Sequence, residues 1–262
     1  MKSLTSHLRV AALPVPLVTN NIEANLRFVT EKCAELPIGT DILVLPELFT
    51  TGFHPKMELG VLAEDENGKT VSTLLALSSR YGMAIAGSFL FKNRDKYFNR
   101  AFIIEPSGEV TFYDKHHLFT AGAEGTILTP GSKLPPVVRF RGWNISIVTC
   151  YDLRFPAWCR NRDGAYDLLI VPANWPVERG YAWRHLLIAR AIENQAAVIG
   201  ANRSGEDGFG HYDDNTFIFN CLGQPVGILQ EGFVYAELNK SEQEQYRDEF
   251  PALKEWDRFD VF

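Results

Sequence analysis

The chain has 262 residues, 46% hydrophobic, 12% aromatic and 22% charged, enough to bury a sizeable core and too apolar for a disordered chain. Its 26 Lys and Arg against 32 Asp and Glu leave a net charge of −6, which argues against a generally basic binder of nucleic acid or anionic membranes. No apolar run approaches the roughly 20 residues of a membrane span, and residues 1–7 lack the apolar core of an export signal.

A strand is expected at 9–12. Asn20 and Asn21 then stand as cap candidates before Ile22, Leu26, Val29, Cys33 and Leu36, a single helical stripe. The run 42–45 is apolar at every position, as in a strand covered on both faces. A helix over 70–81 leads to a strand at 83–91. Strands at 101–105 and 110–114 flank Pro106-Ser107-Gly108, a hairpin turn. Further strands are expected at 137–140, 144–149 and 168–171. A helix over 183–195 follows, with Leu187, Ala191 and Asn194 on one side. Strands at 197–202, 216–219 and 233–237 precede a last helix, for which Ser241 and Glu244 offer a capping box. Strands with interspersed helices and no linker indicate one mixed, layered α/β domain over 1–262.

The four cysteines, Cys33, Cys150, Cys159 and Cys221, form no CxxC pair and read as reduced thiols of a cytoplasmic protein. Cys33 lies on the helical stripe and suits a core. Cys150 instead ends an apolar strand where a turn and a helix candidate follow, a setting whose helical amides favour thiolate. The plainer alternative is a buried core thiol.

Glu47 ends the apolar run 42–45 in Leu45-Pro46-Glu47, where desolvation would suit a proton shuttle. A solvated or salt-bridged Glu is the plainer alternative. Lys115 ends the strand at 110–114 and could hold an oxyanion, or be a surface ammonium. His116 and His117 follow, but neighbours on an extended chain point oppositely, so no metal site is expected. With all three residues at strand ends, one edge of the sheet collects a base, a cation and a nucleophile. That reads as acyl transfer through a thioester.

These segments resemble the nitrilase (carbon–nitrogen hydrolase) superfamily, whose members use a Glu-Lys-Cys triad. The resemblance rests on Leu45-Pro46-Glu47, on Tyr113-Asp114-Lys115 and on Cys150-Tyr151-Asp152-Leu153-Arg154-Phe155-Pro156. Ala173-Asn174-Trp175-Pro176 leading into Ala189-Arg190-Ala191-Ile192-Glu193-Asn194-Gln195 adds a fourth match. Within the superfamily the chain most resembles the omega-amidases, which hydrolyse the terminal amide of 2-oxoglutaramate or 2-oxosuccinamate. It departs from the family at Leu13-Pro14, where a Gln is usual, and at Ala182-Trp183, where a His-Trp pair is common.

The resemblance implies a four-layer α-β-β-α sandwich and a homodimer formed through helices near the nucleophile. It implies Glu47 as general base and acid, Cys150 as nucleophile, and Lys115 with the backbone N–H of Tyr151 as oxyanion donors. Glu124 matches a second active-site glutamate, orienting Lys115 or the substrate amide and water. No metal or organic cofactor is implied, and the partners are a small amide and water, without nucleic acid or membrane. An omega-amidase substrate carries a remote carboxylate, which a planar guanidinium suits, so Arg154 and then Arg179 are candidates. Pairing with Asp152 is the structural alternative for Arg154. Trp175 and Phe119 are candidate pocket walls. Other readings are an N-carbamoyl amino acid or aliphatic amide hydrolase, a nitrilase proper, and a non-catalytic protein with an inherited pocket.

Overall fold

The computed structural model describes residues 6–213 and 215–260, so most of the N-terminal stretch 1–7 lies outside the described residues. The chain runs β1 (His7–Ala12), α1 (Ile22–Cys33), β2 (Ile42–Val44), α2 (Leu59–Leu62), α3 (Lys69–Tyr81), β3 (Ala84–Asn93), β4 (Lys96–Ile104) and β5 (Val110–Asp114). Next come α4 (Glu124–Ile127), β6 (Val137–Phe140), β7 (Trp143–Ile147), β8 (Leu168–Ala173), α5 (Gly180–Asn194) and β9 (Ala197–Asn202). The hairpin of β10 (Glu206–Asp207) and β11 (Gly210–His211) precedes β12 (Phe217–Phe219), β13 (Ile228–Gln230), β14 (Phe233–Asn239) and α6 (Lys240–Glu249). No helix among the described residues is long and apolar enough to cross a membrane.

Two sheets form, in the orders β13-β14-β1-β2-β3-β4-β5 and β12-β9-β8-β7-β6. β1, β2 and β3 are parallel, while β4 reverses and β5 reverses again, so β5 ends on the same edge as β2. In the second sheet β7, β8 and β9 are parallel and end together.

Alternation explains why whole strands are apolar. Val10, Ala12, Ile42, Val44, Ala84 and Ala86 face a core shared with Ile145, Ile147, Leu168 and Ile170 of the second sheet. Their neighbours Ala11, Leu13, Leu43, Leu45 and Ile85 pack on Leu26, Val29 and Cys33 of α1 and on Val71, Leu74 and Leu77 of α3. Against the second sheet lies α5, through Trp183, Leu187 and Ala191. It sits so close to β9 that a Cβ at Gly200 would stand 2.4 Å from Leu187 Cδ1. The result is the four-layer α-β-β-α sandwich.

Two elements begin earlier than the sequence reading has them. β4 begins at Lys96, five residues before 101, because Lys96–Arg100 continue the pairing with β3. Likewise α5 begins at Gly180, three residues before Trp183. The capping box of Ser241 and Glu244 does not form. Asn239 ends β14 and caps α6 instead, its side chain accepting from the N–H of Ser241 at 3.0 Å. At α1 the cap is Asn21, which accepts from Ala24 N–H at 3.0 Å.

Candidate active site

Beyond β2 the ladder continues: Leu45 N–H donates to Ala86 O at 2.7 Å, and the chain then turns through Leu48 at φ 45°. That turn fixes Glu47 in a buried position at the end of the first sheet. Lys115 directly follows β5, and its N–H donates to the carbonyl of Asn99 on β4 at 2.9 Å. The loop after it folds back tightly, because a Cβ at Gly131 would lie 2.0 Å from Asp114 O. Glu124 opens α4 just after Ala123, whose φ is 63°.

Cys150 sits three residues past β7, at φ 45°, and opens a 3₁₀ turn over Cys150–Arg154. A non-glycine residue held in the left-handed region costs on the order of 1–3 kcal/mol and persists only where its surroundings enforce it. Here Asp152 does so, accepting from Thr149 N–H at 3.1 Å. Asp152 also accepts from Tyr113 OH and from His117 N–H, both at 2.8 Å. The Cys150 turn is thus tied to the segment that carries Lys115.

The three strand ends do not lie on one edge of one sheet, as the sequence suggested. Glu47 and Lys115 come from the first sheet and Cys150 from the second, and they meet where the two sheets' ends face each other. Lys115 Nζ lies 2.8 Å from Glu47 Oε1 and 2.7 Å from Glu124 Oε2. Burial works against its charge, but Glu124 and then Glu47 overcome that and hold the ammonium well above the usual lysine range. Lys115 is therefore no surface ammonium, and Glu47 is no solvated strand-end carboxylate.

For Cys150 the expectation of a helix-favoured thiolate fails. Burial raises its pKa, the Glu47 charge raises it further, and Lys115 only partly opposes them, so the group stays a thiol well above its ordinary range. A five-residue 3₁₀ turn supplies little of the dipole that a longer helix would. All four cysteines are free; burial pushes Cys33 and Cys159 up to about 12.

The nine residues singled out above, Glu47, Lys115, Glu124, Cys150, Tyr151, Arg154, Arg179, Trp175 and Phe119, all line one cleft of about 500 Å³. Arg154 does not pair with Asp152, whose oxygens are taken by Tyr113, His117 and Thr149. Its guanidinium lies 4.8 Å from the Trp175 ring instead, and that of Arg179 lies 5.4 Å from Phe119. Among the described residues neither arginine has a carboxylate within salt-bridge distance. Trp175 is backed by Trp183, with ring centroids 5.2 Å apart, so the Ala182-Trp183 departure stands behind the pocket wall.

His116 and His117 do not point oppositely. The chain bends after β5, and the two rings meet edge to face with centroids 4.6 Å apart. Nδ1 of His116 lies 2.7 Å from Gly131 O, and Nδ1 of His117 lies 2.9 Å from Asp152 Oδ1.

Several residues at the site escaped the sequence reading. Asn174 donates its N–H to Glu47 Oε2 at 2.8 Å. Asn99 bridges Glu47 and Glu124, and Phe53 adds an apolar wall. The one available signal for Asn99 was a polar residue in line with the apolar strand 101–105.

The chain matches the carbon-nitrogen hydrolase family over residues 9–248. It is 39% identical over 256 residues to omega-amidase YafV of Escherichia coli strain K12, covering 96% of this chain and 98% of that protein. To the 2-oxoglutaramate amidase of Bacillus subtilis it is 34% identical over 219 residues, covering 81% and 83%. Among solved structures, XC1258 of Xanthomonas campestris, a CN-hydrolase superfamily protein with an arsenic adduct in its active site, superposes with a TM-score of 0.92. That pair shares 34% identity and covers 98% of this chain and 99% of the other. A family match spanning nearly the whole chain, with the same fold in relatives of this similarity, means that the chain belongs to the carbon–nitrogen hydrolase family of the nitrilase superfamily.

Proposed function

We propose that the chain is an amidase of the omega-amidase type, which releases ammonia from the terminal amide of a small 2-oxo dicarboxylic acid monoamide such as 2-oxoglutaramate or 2-oxosuccinamate. The observation that carries the chemistry is the single Lys115 ammonium shared by Glu47 and Glu124 in the cleft that Cys150 also lines. Glu47 takes the thiol proton as the sulfur bonds to the amide carbon. The carbonyl oxygen becomes an oxyanion held by Lys115 and the Tyr151 N–H. Collapse breaks the C–N bond, and Glu47 gives the proton to the leaving ammonia. Water then loses a proton to Glu47 and adds to the thioester; a second collapse frees the acid and returns the proton to sulfur. Nothing in these steps requires a metal or organic cofactor.

Glu124 and Glu47 are each held by three donors: Lys115 and Asn99 donate to both, the Phe119 N–H to Glu124 and the Asn174 N–H to Glu47. What separates them is Cys150, which lies under the charge of Glu47; that supports Glu47 as the proton carrier and Glu124 as the residue that orients Lys115. Arg154 and Arg179 favour an acid-bearing substrate over a neutral amide, since both stand in the cleft and, among the described residues, neither has a carboxylate of the protein's own within salt-bridge distance. Trp175 and Phe119 hold the two guanidinium charges over their rings through cation–π attraction. The reading includes a cytoplasmic homodimer, for which exposed Tyr181 and Ile192 on α5 offer an apolar face.

Ammonia release on 2-oxoglutaramate, 2-oxosuccinamate, glutamine, N-carbamoyl amino acids and simple nitriles tests the proposal. The 2-oxo acid amides are expected to lead. Faster turnover of an N-carbamoyl amino acid or a neutral amide would place the chain in another branch.

A further inference from the structure

We infer that Asn99, oriented by Ser88, is a positioning residue that holds Glu47 and Glu124 as a pair around Lys115 and keeps Glu47 ready to accept a proton. The inference rests on the reading of Glu47 as the base. Asn99 and Ser88 are fully buried on the adjacent antiparallel strands β4 and β3. Ser88 pairs with Ala101, two residues from Asn99, so the two side chains are diagonal neighbours on one face.

Asn99 Nδ2 donates to Glu47 Oε1 at 2.7 Å and to Glu124 Oε1 at 3.1 Å. A carboxamide nitrogen has two hydrogens, one for each carboxylate. Its oxygen accepts from Ser88 Oγ at 2.8 Å, and Ser88 Oγ itself accepts from the N–H of Leu48, next to Glu47. The orientation of the amide follows from chemistry: reversed, its oxygen would face two carboxylates and its nitrogen would lose both acceptors.

Lysine cannot do this work alone. Its ammonium is a point charge on a flexible stem, free to lean towards either carboxylate. Two carboxylates sharing one cation also invite a proton onto one of them. The groups facing Glu47 are Lys115 after β5, Glu124 on α4 and Cys150 after β7, and the backbone N–H of Asn174 reaches it from β8. The fixed amide of Asn99 holds the Glu47 carboxylate in place among these groups without adding charge.

Asn99→Ala and Ser88→Ala, compared with the wild type, test the inference. A bond to a charged group is worth enough that Asn99→Ala is expected to lower kcat at least about tenfold and raise the acid limb of kcat/KM by about one pH unit. KM is expected to change little. Ser88→Ala moves the limb the same way by less, and the double variant moves it no further than Asn99→Ala. Infrared pH titration supplies a readout independent of turnover: the band of a buried protonated carboxyl is expected at higher pH in both variants. An acid limb and a band unmoved in both variants overturn the inference, and so does simple additivity in the double variant. Should Asn99→Ala fail to fold, Ser88→Ala alone decides by the same two readouts. A moved infrared band in a protein that releases ammonia from no amide would support the positioning role while removing the proposed activity.

Discussion

The backbone N–H of Asn174 donates to Oε2 of Glu47 at 2.8 Å, across 127 residues of sequence and from one sheet to the other. Glu47 follows β2 and Asn174 follows β8, so this bond exists only while the two sheets are docked face to face. The opposite oxygen is taken by Lys115 and Asn99. Glu47 is therefore clamped by both layers, and its position reports the inter-sheet packing.

Lys115→Ala is expected to lower kcat at least about 10²-fold, the scale for losing an oxyanion donor, and Glu47→Ala to do the same through loss of the general base. The stability cost differs. Removing Lys115 leaves two buried carboxylates without a counter-charge, a loss of about 3–5 kcal/mol. Adding Glu124→Gln to Lys115→Ala removes one of those charges and is expected to restore part of the stability but none of the activity. Urea denaturation of the three proteins checks this. A single Lys115→Ala variant as stable as the wild type would mean that the cluster is not buried as described.

Cys150→Ala is expected to abolish ammonia release and leave the fold intact. Alkylation of the native thiol tests its environment. Burial, and then the Glu47 charge, hold Cys150 as a thiol, while Lys115 favours the thiolate. Removing the negative charge in Glu47→Gln therefore lowers the thiol pKa, and the pH midpoint of alkylation moves down although turnover is lost. Lys115→Ala moves it up. Mass-spectrometric alkylation rates across pH check the signs, and shifts in the opposite directions would disprove the electrostatic picture.

Much of the architecture was readable because the two-sided burial of the central strands writes itself as uninterrupted apolar runs, as at 42–45 and 168–171. Glu47, Lys115 and Cys150 stood out because each stands just past the end of an expected strand. Asn99 and Asn174 did not, since their contribution at the site is a hydrogen bond fixed by register or by backbone, which leaves no pattern in composition. The partition between two sheets was hidden for the same reason: a strand end looks alike whichever sheet owns it. At Cys150 the expected thiolate is opposed by burial and a facing carboxylate, both tertiary, which outweigh the local turn.

Arg154 shows how aromatic stacking can hold a charge available for a ligand. It lies over Trp175, itself anchored by Trp183 and by a bond from its N–H to Asn202 Oδ1 at 2.8 Å. Arg154→Ala is expected to lower kcat/KM for acid-bearing amides about 10- to 100-fold, the value of a charge-assisted pair, and to leave neutral amides nearly unchanged. Arg179→Ala, measured in parallel, assigns the carboxylate to one guanidinium or to both. Equal losses on neutral amides would make Arg154 a structural residue.

Tyr113 connects the lysine strand to the nucleophile turn. Its hydroxyl donates to Asp152 Oδ2 and accepts from Trp158 Nε1, both at 2.8 Å, and burial followed by the Asp152 charge keeps it protonated well above the usual phenol range. Tyr113→Phe preserves the ring but strands a buried indole N–H and removes one donor from the carboxylate that holds the Cys150 turn. About 1–3 kcal/mol of stability is expected to go with that unsatisfied donor. Because the turn also holds Cys150 at φ 45°, kcat is expected to fall while KM stays near its original value. Asp152→Asn is expected to cost more than Tyr113→Phe, because an amide offers one acceptor oxygen where the carboxylate now takes bonds from Tyr113, His117 and Thr149 on two. Thermal denaturation and steady-state kinetics on both variants check the order, and a Tyr113→Phe protein that melts and turns over like the wild type would show that the strut between the two segments carries no load.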